Sequence, residues 1–400
     1  MDWRAHAGLS KRWQSLSRGY AEAVADRLRR GRADASPAAS DDRRQLMNDV
    51  LPIVREANKT GAIDVLRHHF APSHVAYVDI AADRGEHVGP VFLLEDGRLA
   101  CVVGGPWQRP RAVVATTSST EPLLGVFAMG RSPNRRIYAL GRADGVHLTA
   151  GWGGPSTGVL PWPTTYAPAH PEMPVPMSHG RSVVHALLPF DDGERALVTS
   201  PSGVFLLTAD GAQLVHPSPA DLKSYVQENG DDAFPLDLAD VHAAVSPDHS
   251  FVVVGDRASL HRVLDAEVQP WVTLEPVAGH PHHAVFSSDA HTLVLSCRRN
   301  GDGQSVFIPV AHLRAAHHWQ PEAFLDLVDL RKAVSTAVSF RDEYLIGDTD
   351  GFVRSWRGGR FEDPFYVGGR VVDIDVSVDG GRLAVCTDAG VLHLFDRTTS

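Results

Sequence analysis

The sequence predicts an all-β protein, a seven-bladed β-propeller with an α-helical N-terminal extension. Three observations predict it. A phrase of apolar strand, polar turn and second apolar strand returns seven times after residue 73. The repeat is roughly 40–50 residues long with about four strands in each copy, the period of a propeller blade. Helical periodicity is confined to the chain before that point.

The extension is taken as residues 1–72. Leu9, Trp13, Leu16, Tyr20, Val24 and Leu28 recur at three- and four-residue spacing, which places them on one helical face. Arg12, Arg18, Arg27, Arg29 and Arg30 fall mostly elsewhere around it. Gly31 and the stretch 33–40 break the helix. Ser40, ahead of Asp41 and Asp42, is the expected N-cap of a second helix through Glu56, which Pro52 should kink or split. A third helix is expected from Ile63 to Phe70. Two readings of this extension stay open. It docks on the side of the propeller through Trp13, Leu16 and Tyr20, or it meets another protein or a membrane surface through its arginines.

The propeller is taken as 73–400. Its first turns and second strands read EDGRLACVVGG (95–105), SPNRRIYALGR (132–142), DDGERALVTSP (191–201), SPDHSFVVVGD (246–256), SSDAHTLVLSC (287–297), FRDEYLIGDTD (340–350) and SVDGGRLAVCT (377–387). Four second turns and third strands also match: ADGVHLTAGW (143–152), PSGVFLLTAD (201–210), TDGFVRSWRG (349–358) and DAGVLHLFDR (388–397). Each of these has Gly just before Val or Phe, as a tight hairpin with positive φ requires. Repeat one lacks an obvious strand between Thr116 and Leu124.

VSPDHSFVVVGD (245–256), VSVDGGRLAVCTDAGVLHLFD (376–396) and GDTDGFVRSWRG (347–358) resemble the WD-repeat consensus. In that family a Ser-Pro-Asp-Gly type of turn leads into the second strand, and an Asp-Gly turn leads into a strand ending in Trp-Asp. Gly279-His280 stands where the family has its Gly-His pair. Most repeats lack the family's full His–Ser/Thr–Asp–Trp network, so the resemblance implies architecture and carries no function with it. The last repeat ends after its third strand at Asp396. The apolar run 73–80 is therefore expected to supply the outer strand, pairing with Val391–Phe395 and removing an exposed edge.

The net charge of −10 argues against broad nucleic-acid binding and would suit a basic protein partner. No apolar run is long enough to span a bilayer and no signal core follows the N-terminus, so a cytoplasmic location is expected. Cys101, Cys297 and Cys386 form no CxxC pair and each sits in an apolar run, which reads as three buried thiols. The pairs His68-His69, His282-His283 and His317-His318 point to opposite faces if they lie on strands, and His312 lacks companions at ligand spacing. No metal site is assigned. Asp373 and Asp375 share a strand face and would line the channel, where such a pair holds water or ions or does acid–base work. No GxSxG elbow, P-loop or dinucleotide fingerprint is present, so neither a catalytic residue nor a cofactor is assigned.

The insertions carry the recognition candidates. Segment 160–179, LPWPTTYAPAHPEMPVPMSH, is too long for an inter-strand turn. It either contacts a partner or folds over its own blades. Segments 217–240 and 311–332 are two more insertions, with helices expected at Asp221–Asn229 and Pro321–Leu330. The partner-binding candidates are Trp152, Trp162, Tyr166, His170, Met173, Met177, Trp319 and Trp13. Three functions follow: a protein-interaction scaffold, such as a bacterial assembly, defence or immunity subunit; a channel-site hydrolase or lyase; and a small-ligand sensor.

Overall fold

Strands that read as unbroken apolar runs need a packed neighbour on each face. The computed structural model provides both. It describes residues 2–30, 40–60, 62–70, 88–104, 110–116, 119–175, 184–274, 280–299, 302–315, 326–328, 334–341, 343–348, 351–357, 360–361, 365–367, 370–387 and 392–397. From residue 88 onward the main strands form seven antiparallel meanders in chain order, at 88–122, 128–160, 186–216, 242–274, 280–328, 334–361 and 371–396. The seven expected second strands are Leu99–Val103, Ile137–Arg142, Ala196–Ser200, Phe251–Gly255, Thr292–Arg299, Glu343–Asp348 and Arg382–Thr387. The strand without an obvious sequence signal in the first repeat is Thr120–Pro122.

Successive residues on one strand serve different cores. Phe251 and Val253 enter the core shared with the fifth meander, while Val252 and Val254 enter the core shared with the third. Ala384 and Cys386 face the first meander, while Leu383 and Val385 face the sixth. Each adjacent pair of meanders shares such a core, including the last and the first, so the sheets close into a ring. The chain is a β-propeller, with its first strands innermost. Meanders two and three also join directly, because Leu187 pairs in parallel with Gly130. A Cβ at Gly130 would stand 1.8 Å from the Leu187 carbonyl oxygen, so the two backbones meet this closely only without a side chain.

One end of the ring is made by the turns after the first strands, called here the turn face. Each turn has a residue at positive φ: Gly97 (81°), Arg135 (61°), Gly193 (71°), His249 (58°), Ala290 (59°), Arg341 (55°) and Gly380 (78°). Three turns are tied by a serine to an aspartate two residues on, Ser246 to Asp248, Ser287 to Asp289 and Ser377 to Asp379. The seven turns thus share a backbone geometry that their side chains do not spell out.

The N-terminal helices α1 (Ala7–Arg30), α2 (Met47–Thr60) and α3 (Ile63–His69) have a core of their own, containing Trp13, Leu46, Val50, Ile53, Leu66 and Phe70. Arg43 is fully buried there, held by Asp41 at 2.7 Å and by the Ser17 hydroxyl at 2.8 Å. Trp13 and Tyr20 are therefore covered by this bundle and its arginine. The second helical stretch is capped by Asp41, one residue after the expected Ser40. Pro52 lies inside α2 without ending it, at the cost of the bond its N–H would make to the Asn48 carbonyl one turn earlier.

Two insertions show what their local sequence becomes. Helix α4 (Pro219–Asn229) starts at Ser218, whose hydroxyl and the Asp221 carboxylate form a capping box. The helix expected over 321–330 is corrected: Asp326–Val328 is a strand that pairs with Ser305–Phe307 as the outer strand of meander five. The edge of that sheet needed a partner, and this demand outweighed the local helical pattern. The closing strand expected at 73–80, along with Met177 and Trp319, lies outside the described residues.

Candidate functional site

The axis of the ring carries a cluster of charged side chains. Asp373 and Asp375 stand on the innermost strand of the last meander, Val371–Val376. Asp373 Oδ2 accepts the Val91 N–H at 2.8 Å and Asp375 Oδ2 accepts the Leu93 N–H at 2.6 Å. These are inner-strand donors of the first meander, so the carboxylates seal the ring where it closes. Arg131 binds Asp375 through both terminal nitrogens, at 2.7 and 3.0 Å, and Arg135 binds it at 3.1 Å. Burial, opposed by the hydrogen bonds it accepts, pushes the Asp373 carboxyl up to about 6. The two aspartates that the sequence places on one channel-lining face thus accept from backbone donors, and Asp375 also from two guanidiniums.

The turn-face mouth of the channel is a cavity of about 520 Å³. Arg131, Arg135 and Arg341 line it, along with Ser132, Asn134 and Ser339. Phe92, Phe286 and Phe340 form part of its apolar wall. At its rim Asp191 gathers Ser132, Asn134 at 2.8 Å and His249 at 2.9 Å.

A second polar cluster lies away from the turn face, where meanders three, four and five meet. His216 Nε2 and Asp256 Oδ2 are 2.6 Å apart and buried. The rings of His242 and His261 meet edge-on at 5.0 Å. His283 Nε2 accepts the Ala337 N–H at 3.2 Å, which ties meander five to meander six. Burial pushes His242 down to about 4 and His283 down to about 3, and neighbouring imidazoles add to both effects. Burial and His242 hold His261 well below its ordinary range as well. These rings are neutral at pH 7. The strand has a register irregularity between Pro281 and His283, and His242 and His282 both add to the lowering of His283. Among the described residues no group of three or more His, Cys, Asp or Glu is arranged to hold a metal ion.

The recognition candidates of segment 160–179 mostly turn inward. Tyr166 is fully buried, and its hydroxyl accepts the Leu236 N–H at 3.1 Å. Trp162 stacks on Phe127 at 5.6 Å and donates to the Arg142 carbonyl. His170 and Met173 are half-buried against the core of meanders two and three, His170 with its edge on Phe234. Trp152 packs edge-on against Tyr138 at 5.3 Å. Of the two alternatives for this insertion, its described part, through Val175, takes the one that folds over its own sheets. The His216–Asp256 pair and the arginine-lined mouth were missed from sequence. A 25-residue gap hides His216 from the repeat it serves, since the next strand starts only at His242.

All three cysteines are buried and free, and burial pushes the Cys101 thiol up to about 11. No described helix is long and apolar enough to cross a membrane. No family model and no curated protein matches the chain. Among solved structures, a chain of the crystal structure "Mitotic Checkpoint Complex" is similar in fold, with a TM-score of 0.52 and 12% sequence identity over 78% of this chain and 87% of that one. At that identity the likeness speaks for the fold, which is a β-propeller with a helical N-terminal extension.

Proposed function

We propose that this protein is a non-catalytic protein-interaction scaffold. One observation carries the reading. Asp373 and Asp375, the residues best suited to acid–base work, hold the last meander to the first and have their oxygens engaged. A rigid ring remains, with loops and insertions at its ends. The similar solved chain belongs to a complex, which is in keeping with such a role. The reading takes the meanders as seven degenerate WD-type blades, closed by 73–80, and the partner as a protein. A basic partner suits the net charge of −10, and a bacterial assembly, defence or immunity subunit suits the composition.

The test is affinity purification of the tagged full chain from its native host, followed by size exclusion. A scaffold co-elutes with a stoichiometric protein through both steps. Recovery of the chain alone, together with turnover of a metabolite by the purified protein, would refute the reading in favour of a channel enzyme.

A further inference from the structure

The cavity at the turn-face mouth holds more positive charge than its own carboxylates can partner. Asp375 is saturated. Oδ1 accepts from Arg131 and Arg135, and Oδ2 accepts from Arg131 and the Leu93 N–H. Arg135 donates its Nη2 to Asp375 and to the Val376 carbonyl, while its Nη1 is buried with no hydrogen-bond partner. Leaving a charged donor buried and unpaired is costly. Arg341 lines the same space, exposed, with its guanidinium over the Phe340 ring at 5.0 Å. No Asp or Glu is among the described residues that line the cavity.

We propose that this mouth binds an organic anion, a carboxylate or phosphate head on an apolar body, with exposed Arg341 as its direct charge partner and the guanidinium of Arg135 as the positive charge behind it. Both arginines line the space, and Ser339, whose hydroxyl oxygen accepts the Ser288 N–H, has its proton left to donate. Phe92, Phe286 and Phe340 offer the body an apolar wall. The volume of about 520 Å³ fits one small ligand or one side chain with its neighbours. Such a head can come from a free organic acid or from an acidic side chain on a segment of a partner protein. The inference stands apart from the scaffold reading. A chain that recovers its partner but binds no anion loses this proposal alone.

The test is isothermal titration of the full chain at low ionic strength with phenyl phosphate, with phenyltrimethylammonium as the cationic control. The expected result is saturable one-site binding of phenyl phosphate and none of the cation. Arg341→Gln removes one charged donor and should weaken binding about tenfold. Among the described residues Arg341 makes no ion pair, and it is exposed, so that variant is expected to fold. Arg135→Gln should weaken binding similarly, provided its melting temperature shows it folded. A blocked Phe-Glu-Leu tripeptide that displaces phenyl phosphate assigns the site to an acidic protein segment; a tripeptide without effect assigns it to a free acid. Absence of saturable binding up to millimolar phenyl phosphate would overturn the proposal. So would equal affinity in Arg341→Gln and wild type, or equal binding of the cation.

Discussion

Lowering the pH from 7.0 to 5.5 tests the histidine cluster most directly. His242, His261 and His283 are held in the neutral form by burial and by one another. In the unfolded chain each titrates near 6.5, so below that pH the unfolded state binds protons that the native state refuses. Stability is full above about pH 6.5 and falls as pH drops toward the native values. Each histidine loses about 1.4 kcal/mol per pH unit once well below 6.5, or about 1.2 kcal/mol over this interval. The three together lose about 4 kcal/mol. Asp373 works the other way. Its native value of about 6 lies above the unfolded one. It therefore gains about 0.8 kcal/mol of stability over the same interval. The net expectation is a loss of about 3 kcal/mol. Asp240 and Asp256, whose carboxyls are lowered, enter only nearer the ordinary carboxylate range.

Urea unfolding at the two pH values, followed by tryptophan fluorescence, measures the difference as a shift in midpoint at constant slope. His283→Gln keeps an acceptor for the Ala337 N–H but cannot titrate, so it should reduce the net acid-induced loss by about 40%, or about 1.2 kcal/mol. Equal or greater stability at pH 5.5 would refute the argument. So would an unchanged pH dependence in His283→Gln, since the neutral ring would then not be what the native state protects.

Three further expectations follow from single contacts. Asp375→Asn leaves Arg131 and Arg135 without their carboxylate at the ring closure and should cost about 3–5 kcal/mol in urea unfolding. Gly130→Ala puts a methyl group into the Leu187 carbonyl and should separate meanders two and three, read as faster amide exchange at Leu187 and a melting temperature lower by several degrees. Ala290→Gly relieves a left-handed residue at φ 59° and should stabilise the chain by about 0.5–1 kcal/mol in the same unfolding assay.

The ring was legible in the sequence because its physics is repeated. A strand pressed between two neighbours must be apolar on both faces, and Phe251-Val252-Val253-Val254 shows that at a glance. The turns were legible through Gly97, Gly193 and Gly380, and less so through Arg135 and His249, which take the same φ without the residue that favours it. The sites were hidden because they are assembled across the chain. Arg131 and Asp375 are 244 residues apart, and His216 and Asp256 are separated by an insertion. Asp326–Val328 misled local pattern reading, because a strand that short takes its identity from the edge it covers.

The same packing limits where recognition can occur. Side chains on the middle strands are consumed by the cores on either side, which leaves the inner edge, the turns and the insertions. The described part of segment 160–179 is largely consumed too, since Tyr166 and Trp162 tie it to its own sheets. The turn face keeps its side chains available. There Val378 is 64% exposed on the rim of the arginine-lined mouth, where an apolar contact would adjoin unpaired positive charge. A partner that uses this face must bring a carboxylate or phosphate to the mouth, whatever the sign of its surface elsewhere. An acidic protein can thus meet its partner through a local cationic site, and net charge alone is a poor guide to that partner's chemistry.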